Sequence, residues 1–116
     1  MDVRRPHEMD VTVEHEGTCR TRFAFPKGSL REATSGTYLE YVSEFELAEG
    51  AALSPHAHAS HEFYYLLDGS ATMTIDGENR DVSAGDLIYI PPGAVHSIAG
   101  HEQGFRALAF AAMHPS

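Results

Sequence analysis

What most limits the folds open to this chain is a period-two alternation of apolar and polar residues, cut by turn signals at intervals of about 8–12 residues. The clearest run is Thr37 to Leu47. Leu39, Tyr41, Phe45 and Leu47 share one face there, and Glu40, Glu44 and Glu46 share the other. Successive side chains of a strand point to opposite faces, so this run predicts a strand buried on its apolar side. Shorter strands are predicted at Val11-Thr12-Val13, Arg20 to Phe25, Phe63 to Leu67, Ala71 to Ile75, Arg80 to Val82, Leu87 to Ile90, Val95 to Ile98 and Phe105 to Ala111. Turn residues separate them: Pro26-Lys27-Gly28-Ser29, Glu49-Gly50, Asp68-Gly69, Asp76-Gly77, Ala84-Gly85-Asp86, Pro91-Pro92-Gly93 and a Gly-rich turn after Ile98. Asp76-Gly77 is the strongest hairpin signal, because a two-residue hairpin needs positive φ at both central positions. Residues 31–36 read as loop or one helical turn, and the tail from Met113 as loose. With no clear helix, the expectation is an all-β antiparallel sandwich or barrel. No linker, low-complexity tract or tandem repeat divides the chain, and its 116 residues suit one domain with a modest core.

Charge narrows the partners. Seventeen Asp and Glu against 8 Lys and Arg give a formal net charge of −9. Nucleic acid needs a basic surface, so it is not expected as a partner, and neither is an anionic membrane. Glu40, Glu44, Glu46 and Glu49 read as a solvated face that keeps the protein soluble. No run approaches the ~18 apolar residues of a membrane span. The start, Met1-Asp2-Val3-Arg4-Arg5, leads into acids and His7 rather than an apolar stretch, so no secretory signal is read. Cys19 is the single cysteine, which rules out an internal disulfide and fits a cytoplasmic setting.

The chemistry concentrates in His56-Ala57-His58-Ala59-Ser60-His61-Glu62, answered much later by His96. On a strand, His56 and His58 would present their imidazoles on one face. Glu62, four residues on, can reach the same point. Two imidazoles, a carboxylate and a third imidazole from another strand suit a divalent transition metal with coordination positions left open. Each residue alone would be an ordinary polar surface group; four at these spacings favour the metal. His61 alternates to the face opposite Glu62 and reads as a solvent-facing or supporting residue. His7, His15, His101 and His114 read as surface residues.

The glycines frame these ligands. Gly50 to Gly69 reads G-x5-H-x-H-x3-E-x6-G, and Gly85, Pro91, Gly93 and His96 read G-x5-P-x-G-x2-H. The two runs, 50–69 and 85–100, resemble the paired signature motifs of the cupin superfamily, with the short spacer of its small single-domain bacterial members. Gly100 stands where the second motif usually ends in Asn. The resemblance implies a double-stranded β-helix (jelly-roll) cupin barrel with one metal in its mouth. It also implies that His56, His58, Glu62 and His96 are the ligands. In the family Fe(II), Mn(II), Ni(II), Zn(II) and Cu(II) all occupy this site, and affinity order alone does not choose among them. Small cupins often dimerise by exchanging N-terminal strands, so a homodimer using residues 1–36 is expected.

Tyr64, two residues after Glu62, should face the same side. Some lyases of the family that cleave dimethylsulfoniopropionate carry a Tyr at this place and use it as the base, and a nearby cation lowers a phenol pKa. Tyr64 is therefore the catalytic candidate; the other reading is a core aromatic with its hydroxyl hydrogen-bonded. Tyr38, Tyr41, Tyr89, Phe45, Phe105 and Phe110 are expected to line or fill the barrel, which suits a small, partly apolar substrate, with Tyr41 as a contact. Arg20, Arg22, Arg80 and Arg106 are candidates for holding a substrate carboxylate. Arg106 alternates with Leu108 and Phe110, which points it inward; a structural ion pair is equally open.

The function expected on this basis is metal-dependent catalysis on a small organic molecule. Dioxygenase-type chemistry at Fe(II) leads. A redox-neutral Lewis-acid lyase, isomerase or cyclase using Zn, Ni or Mn is the main rival. A non-catalytic ligand-binding or sensing barrel is the alternative from another class.

Overall fold

The structure, a computed structural model, describes residues 2, 4–14, 18–30 and 38–113, with Tyr38 described by its backbone alone. The expectations for His15, residues 31–36, Thr37, the Tyr38 side chain and the tail beyond Met113, including His114, lie outside the described residues. The elements are a 3-10 turn, Pro6–Glu8, then β1 (Thr12–Glu14), β2 (Cys19–Phe25), β3 (Tyr38–Leu47), β4 (Ala52–His56), β5 (His61–Ile75), β6 (Glu78–Ser83), β7 (Leu87–Ile90) and β8 (His96–Met113). No helix among the described residues is long and apolar enough to cross a membrane.

All pairings are antiparallel, in the order β1-β2-β3-β8-β5-β6, with β4 on β8 and β7 on β5. The two long strands serve both walls of a jelly roll. In one wall, residues 105–113 of β8 lie between β3 and the first half of β5. In the other, residues 96–99 of β8 lie between β4 and the second half of β5.

Two expected turns are corners within continuous strands. Asp68-Gly69 does not end a strand, and neither does the Gly-rich stretch after Ile98. Gly69 has φ +81, and a Cβ there would stand 2.2 Å from the Gly104 carbonyl oxygen. Gly104, at φ +68, would place a Cβ 2.2 Å from the Leu47 carbonyl oxygen. Only glycine combines this backbone with so close an approach. The chain therefore bends from one wall into the other while its ladder continues. Asp76-Gly77 forms the expected hairpin, with φ 46 and 83.

The sequence pattern did not announce β4. It is short, carries Pro55 and, among the described residues, pairs with β8 alone, a place where a missing backbone N–H is tolerated.

Leu53, Leu66, Met73, Ile90, Ile98 and Phe105 form the apolar core. On β8 beyond Phe105 the inward residues are Ala107, Ala109 and Ala111, small because Tyr41, Phe45 and Tyr64 already occupy the interior. Thr21, Ser43, Ser60, Glu62 and His96 are buried too, which makes part of the interior polar.

Candidate metal centre

Three elements deliver the site. His56 closes β4, His96 opens β8, and the two are direct cross-strand partners. Glu62 is the second residue of β5. His58 lies beyond the end of β4, in the connection to β5. Strand alternation therefore does not align it with His56, as the spacing had suggested; the connection turns it back instead. That connection is tethered, since the Gly93 N–H donates to the His58 carbonyl at 2.8 Å. Asp76 anchors the start of β8: its carboxylate accepts from the Val95 N–H at 2.9 Å, and its own N–H donates to the Val95 carbonyl at 2.8 Å.

His56, His58 and His96 each offer a ring nitrogen, and these atoms lie within 4.8 Å of one another. Two nitrogens on one cation, each at ~2.1 Å, stand at most ~4.2 Å apart, so small rotations complete the set. Second contacts orient two of the rings. His56 Nδ1 is 2.7 Å from the Ser54 carbonyl, and His96 Nδ1 is 3.0 Å from the Ala94 carbonyl. A carbonyl only accepts, so Nδ1 carries the proton in each and Nε2 presents a lone pair.

Glu62 joins from the side. Its carboxylate is 3.2 Å from His96 Nε2 and 3.8 Å from His58 Nε2. The contact with His96 lacks the alignment of a hydrogen bond. Glu62 Oε1 and His96 Nε2 are both buried without a hydrogen-bond partner. Buried polar atoms are seldom left so. Two of them, side by side where three imidazoles converge, fit a cation that would satisfy both. The donors, three imidazoles and a carboxylate, are those a divalent transition metal takes. Burial, the largest influence on His96, opposes its charge; Glu62, the Ala94 carbonyl and Asp76 outweigh it, so its pKa is raised from 6.5.

His56 and His58, with Glu62, open into a cavity of about 260 Å³. Tyr41, Phe45 and Leu53 give it apolar walls, and Tyr64 lies within it. The Tyr64 ring packs edge-on against Phe45 at 5.0 Å and faces His96 at 6.4 Å. Burial, then the Glu62 carboxylate, holds its phenol well above the ordinary range. Tyr41 packs on Phe23, with ring centroids 5.8 Å apart.

Other expectations need correction. Arg106 does not point inward: Phe105, Ala107, Ala109 and Ala111 do, so Arg106 projects outward and pairs with Glu44 at 3.3 Å. Arg20 and Arg22 reach Glu46 at 3.4 and 3.7 Å, and Arg80 meets Glu78 at 4.0 Å. None of the four lines the cavity. Tyr89 and Phe110 also lie outside, on either side of Phe63, with ring centroids 5.1 Å (tilted) and 5.0 Å (stacked) from its own. His61 is on that outer face as expected, with Nδ1 2.7 Å from the Tyr89 hydroxyl. His101 is a surface residue held between Ser70 at 3.0 Å and Thr72 at 2.8 Å. Sequence reasoning missed Lys27, which lines the cavity from the turn after β2; it had registered only as part of a chain break.

Residues 43–111 match the family model of the cupin domain, Cupin_2. The chain belongs to the cupin family. Among curated proteins, this cupin is 41% identical over 61 residues to dimethylsulfoniopropionate lyase DddW of Ruegeria pomeroyi, a match covering 53% of the chain and 40% of DddW. It is 43% identical over 81 residues to oxalate decarboxylase OxdC of Bacillus subtilis, covering 66% of the chain and 21% of that enzyme. The chain thus spans less than half the length of either. Among solved structures, the polyketide cyclase RemF of Streptomyces resistomycificus superposes with a TM-score of 0.77 at 22% identity, covering 100% of this chain and 82% of RemF. At that identity the likeness is one of fold.

Proposed function

We propose that this cupin is a metal-dependent enzyme that moves a proton on a small organic substrate without redox change, in the lyase, isomerase or cyclase class. The observation that carries the reading is Tyr64. Its side chain is buried, lines the same cavity as His56, His58 and Glu62, and has its ring centroid 6.4 Å from that of His96. His56, His58 and His96 are the proposed metal ligands, with Glu62 as the fourth. When bound, a divalent cation (Fe, Mn, Ni, Zn or Cu) supplies Lewis acidity at that point. The chain does the rest. The carbonyls of Ser54 and Ala94 hold two imidazoles in the required tautomer. Tyr41 and Phe45 exclude water from one wall. The Tyr64 hydroxyl, buried in that cavity, gives a proton to the substrate or, once ionised, takes one. The similarity to DddW, a lyase by name, supports this class.

Dioxygenase-type chemistry at Fe(II) is the second reading, supported by the donor set of three imidazoles and one carboxylate. Anaerobic reconstitution separates the two. Turnover of a panel of small carboxylates, catechols and thiols with Zn(II) or Ni(II) under argon supports the first. O2 uptake that requires Fe(II) supports the second. Tight ligand binding without turnover under either condition would overturn both and leave a sensing barrel.

The same reading includes a cytoplasmic homodimer. Phe63, Tyr65, Leu87, Tyr89 and Phe110 give the outer face of one wall an apolar character that a second copy would cover. β1 and β2 pair within their own chain's sheet in this structure. Light scattering after size exclusion tests the dimer; a monomer at every concentration would refute it.

A further inference from the structure

The cationic side chains are distributed unevenly. Each described arginine has a carboxylate partner: Arg4 with Asp2, Arg5 with Glu8, and the other four as given above. Lys27 has none within 4.0 Å among the described residues. It is also the one Lys or Arg among the described residues lining the cavity onto which His56 and His58 open. Its Nζ stands 6.0 Å from the centre of the Tyr41 ring. The turn that carries it is fixed, because the Gly28 N–H donates to the Glu40 carbonyl at 2.8 Å and the Ser29 N–H to the Pro26 carbonyl at 2.9 Å.

An ammonium at this place faces a choice of partners. Glu14 and Glu40 line the same cavity, yet neither carboxylate closes on it. The chain as a whole carries −9 and repels anions at long range. An anion entering the cavity therefore needs a local positive group, and Lys27 is placed to supply it. The wall beneath, Phe23, Tyr41 and Phe45, is aromatic and suits an apolar body. At about 260 Å³ the space lies just under the usual range of ligand pockets, ~300–1,000 Å³, so the occupant is small.

We propose that Lys27 anchors the carboxylate of the substrate, and that the substrate class is small organic carboxylates with an apolar body. The proposal deepens the enzymatic reading above and rests on it for the word substrate.

The test uses 3-phenylpropanoate and its neutral counterpart 3-phenylpropanamide as probes, titrated calorimetrically into the full chain before and after metal loading. Wild type should bind the carboxylate. Lys27→Met should weaken it about tenfold, as loss of one charge-assisted contact does, and leave the amide unchanged. Lys27→Arg should restore most of the affinity, and added salt should weaken wild type more than Lys27→Met. Equal carboxylate affinity in wild type and Lys27→Met, or no carboxylate binding by wild type, overturns the proposal. Metal content, measured on the same preparations, keeps the two readings apart. A Lys27-dependent affinity without any metal uptake would sink the metal reading alone. Full metal uptake without that dependence would sink the role of Lys27 alone.

Discussion

His56 and His96 face each other across the β4–β8 pair, and each turns its Nδ1 onto a carbonyl two residues earlier in its own chain segment, Ser54 and Ala94. The same local device, used on both sides of one ladder, presents two Nε2 lone pairs to a common point. His58 reaches that point from a connection tied down by Gly93.

The ligand assignment has a direct consequence for His58. His58→Ala removes one of three converging nitrogens while leaving the buried ring of His96 in place. Protein purified without added metal should lose most of its bound metal, with at least a roughly tenfold fall in affinity. Elemental analysis measures this. A full equivalent retained in the variant would show that His58 is not a ligand.

Protons and metal compete for His96, and the sign of the effect differs between the two forms. In the metal-free protein the raised pKa means that the folded state holds the His96 proton more tightly than the unfolded chain does. That contribution to stability is fully present below 6.5, the ordinary value, and disappears as pH rises through the higher folded value. The melting temperature of metal-free protein should therefore drop across this window. Glu62→Gln, which removes the carboxylate favouring the charge, should flatten the drop. With metal in excess the trend should reverse, because ligation requires neutral imidazoles. Differential scanning calorimetry across the pH range reads both signs; the same slope with and without metal would contradict the assignment.

Tyr64→Phe separates chemistry from packing. The ring against Phe45 stays and only the hydroxyl goes. If that hydroxyl moves the proton, turnover should fall by about 10²–10⁴-fold while metal content and melting temperature hold. Activity within about a factor of three of wild type would return Tyr64 to the role of a core aromatic.

The convergence of His56, His58 and His96 was legible in the sequence, because the motif keeps these residue types at fixed spacings. What failed was geometry that alternation alone does not carry. Leu108 and Phe110 drew Arg106 inward on paper since large apolar residues usually face a core. Here the interior is filled by Tyr41, Phe45 and Tyr64 from other strands, so β8 turns Ala107, Ala109 and Ala111 inward. The outer face is apolar as well, and period two cannot say which apolar face is the buried one. β4 escaped because Pro55 reads as a breaker except at a sheet edge. Lys27 escaped because a lysine in a Pro-Gly turn carries no signal of what that turn packs beside.

The strand breaks expected at Gly69 and after Ile98 lead to a sharper test. A break and a corner both call for glycine, but for different reasons. At an open turn the cost of a side chain is the positive φ alone. At a corner the side chain must also displace the strand packed across it. Gly77, at φ +83 with nothing within 4 Å of an added Cβ, is the first case. Gly77→Ala should cost about 1–2 kcal/mol. Gly69 is the second, since its added Cβ would meet the Gly104 carbonyl oxygen at 2.2 Å and the Phe105 Cα at 2.8 Å. Both obstacles are backbone, so no rotamer change relieves them, and the β5–β8 register must shift. Gly69→Ala should therefore cost the same strain plus about 1–3 kcal/mol for the forced displacement. Urea unfolding of the two variants, compared at equal slope, measures the difference. Equal losses would mean that β5 is interrupted at Gly69 after all, with the two walls joined by a loop instead of a bent strand.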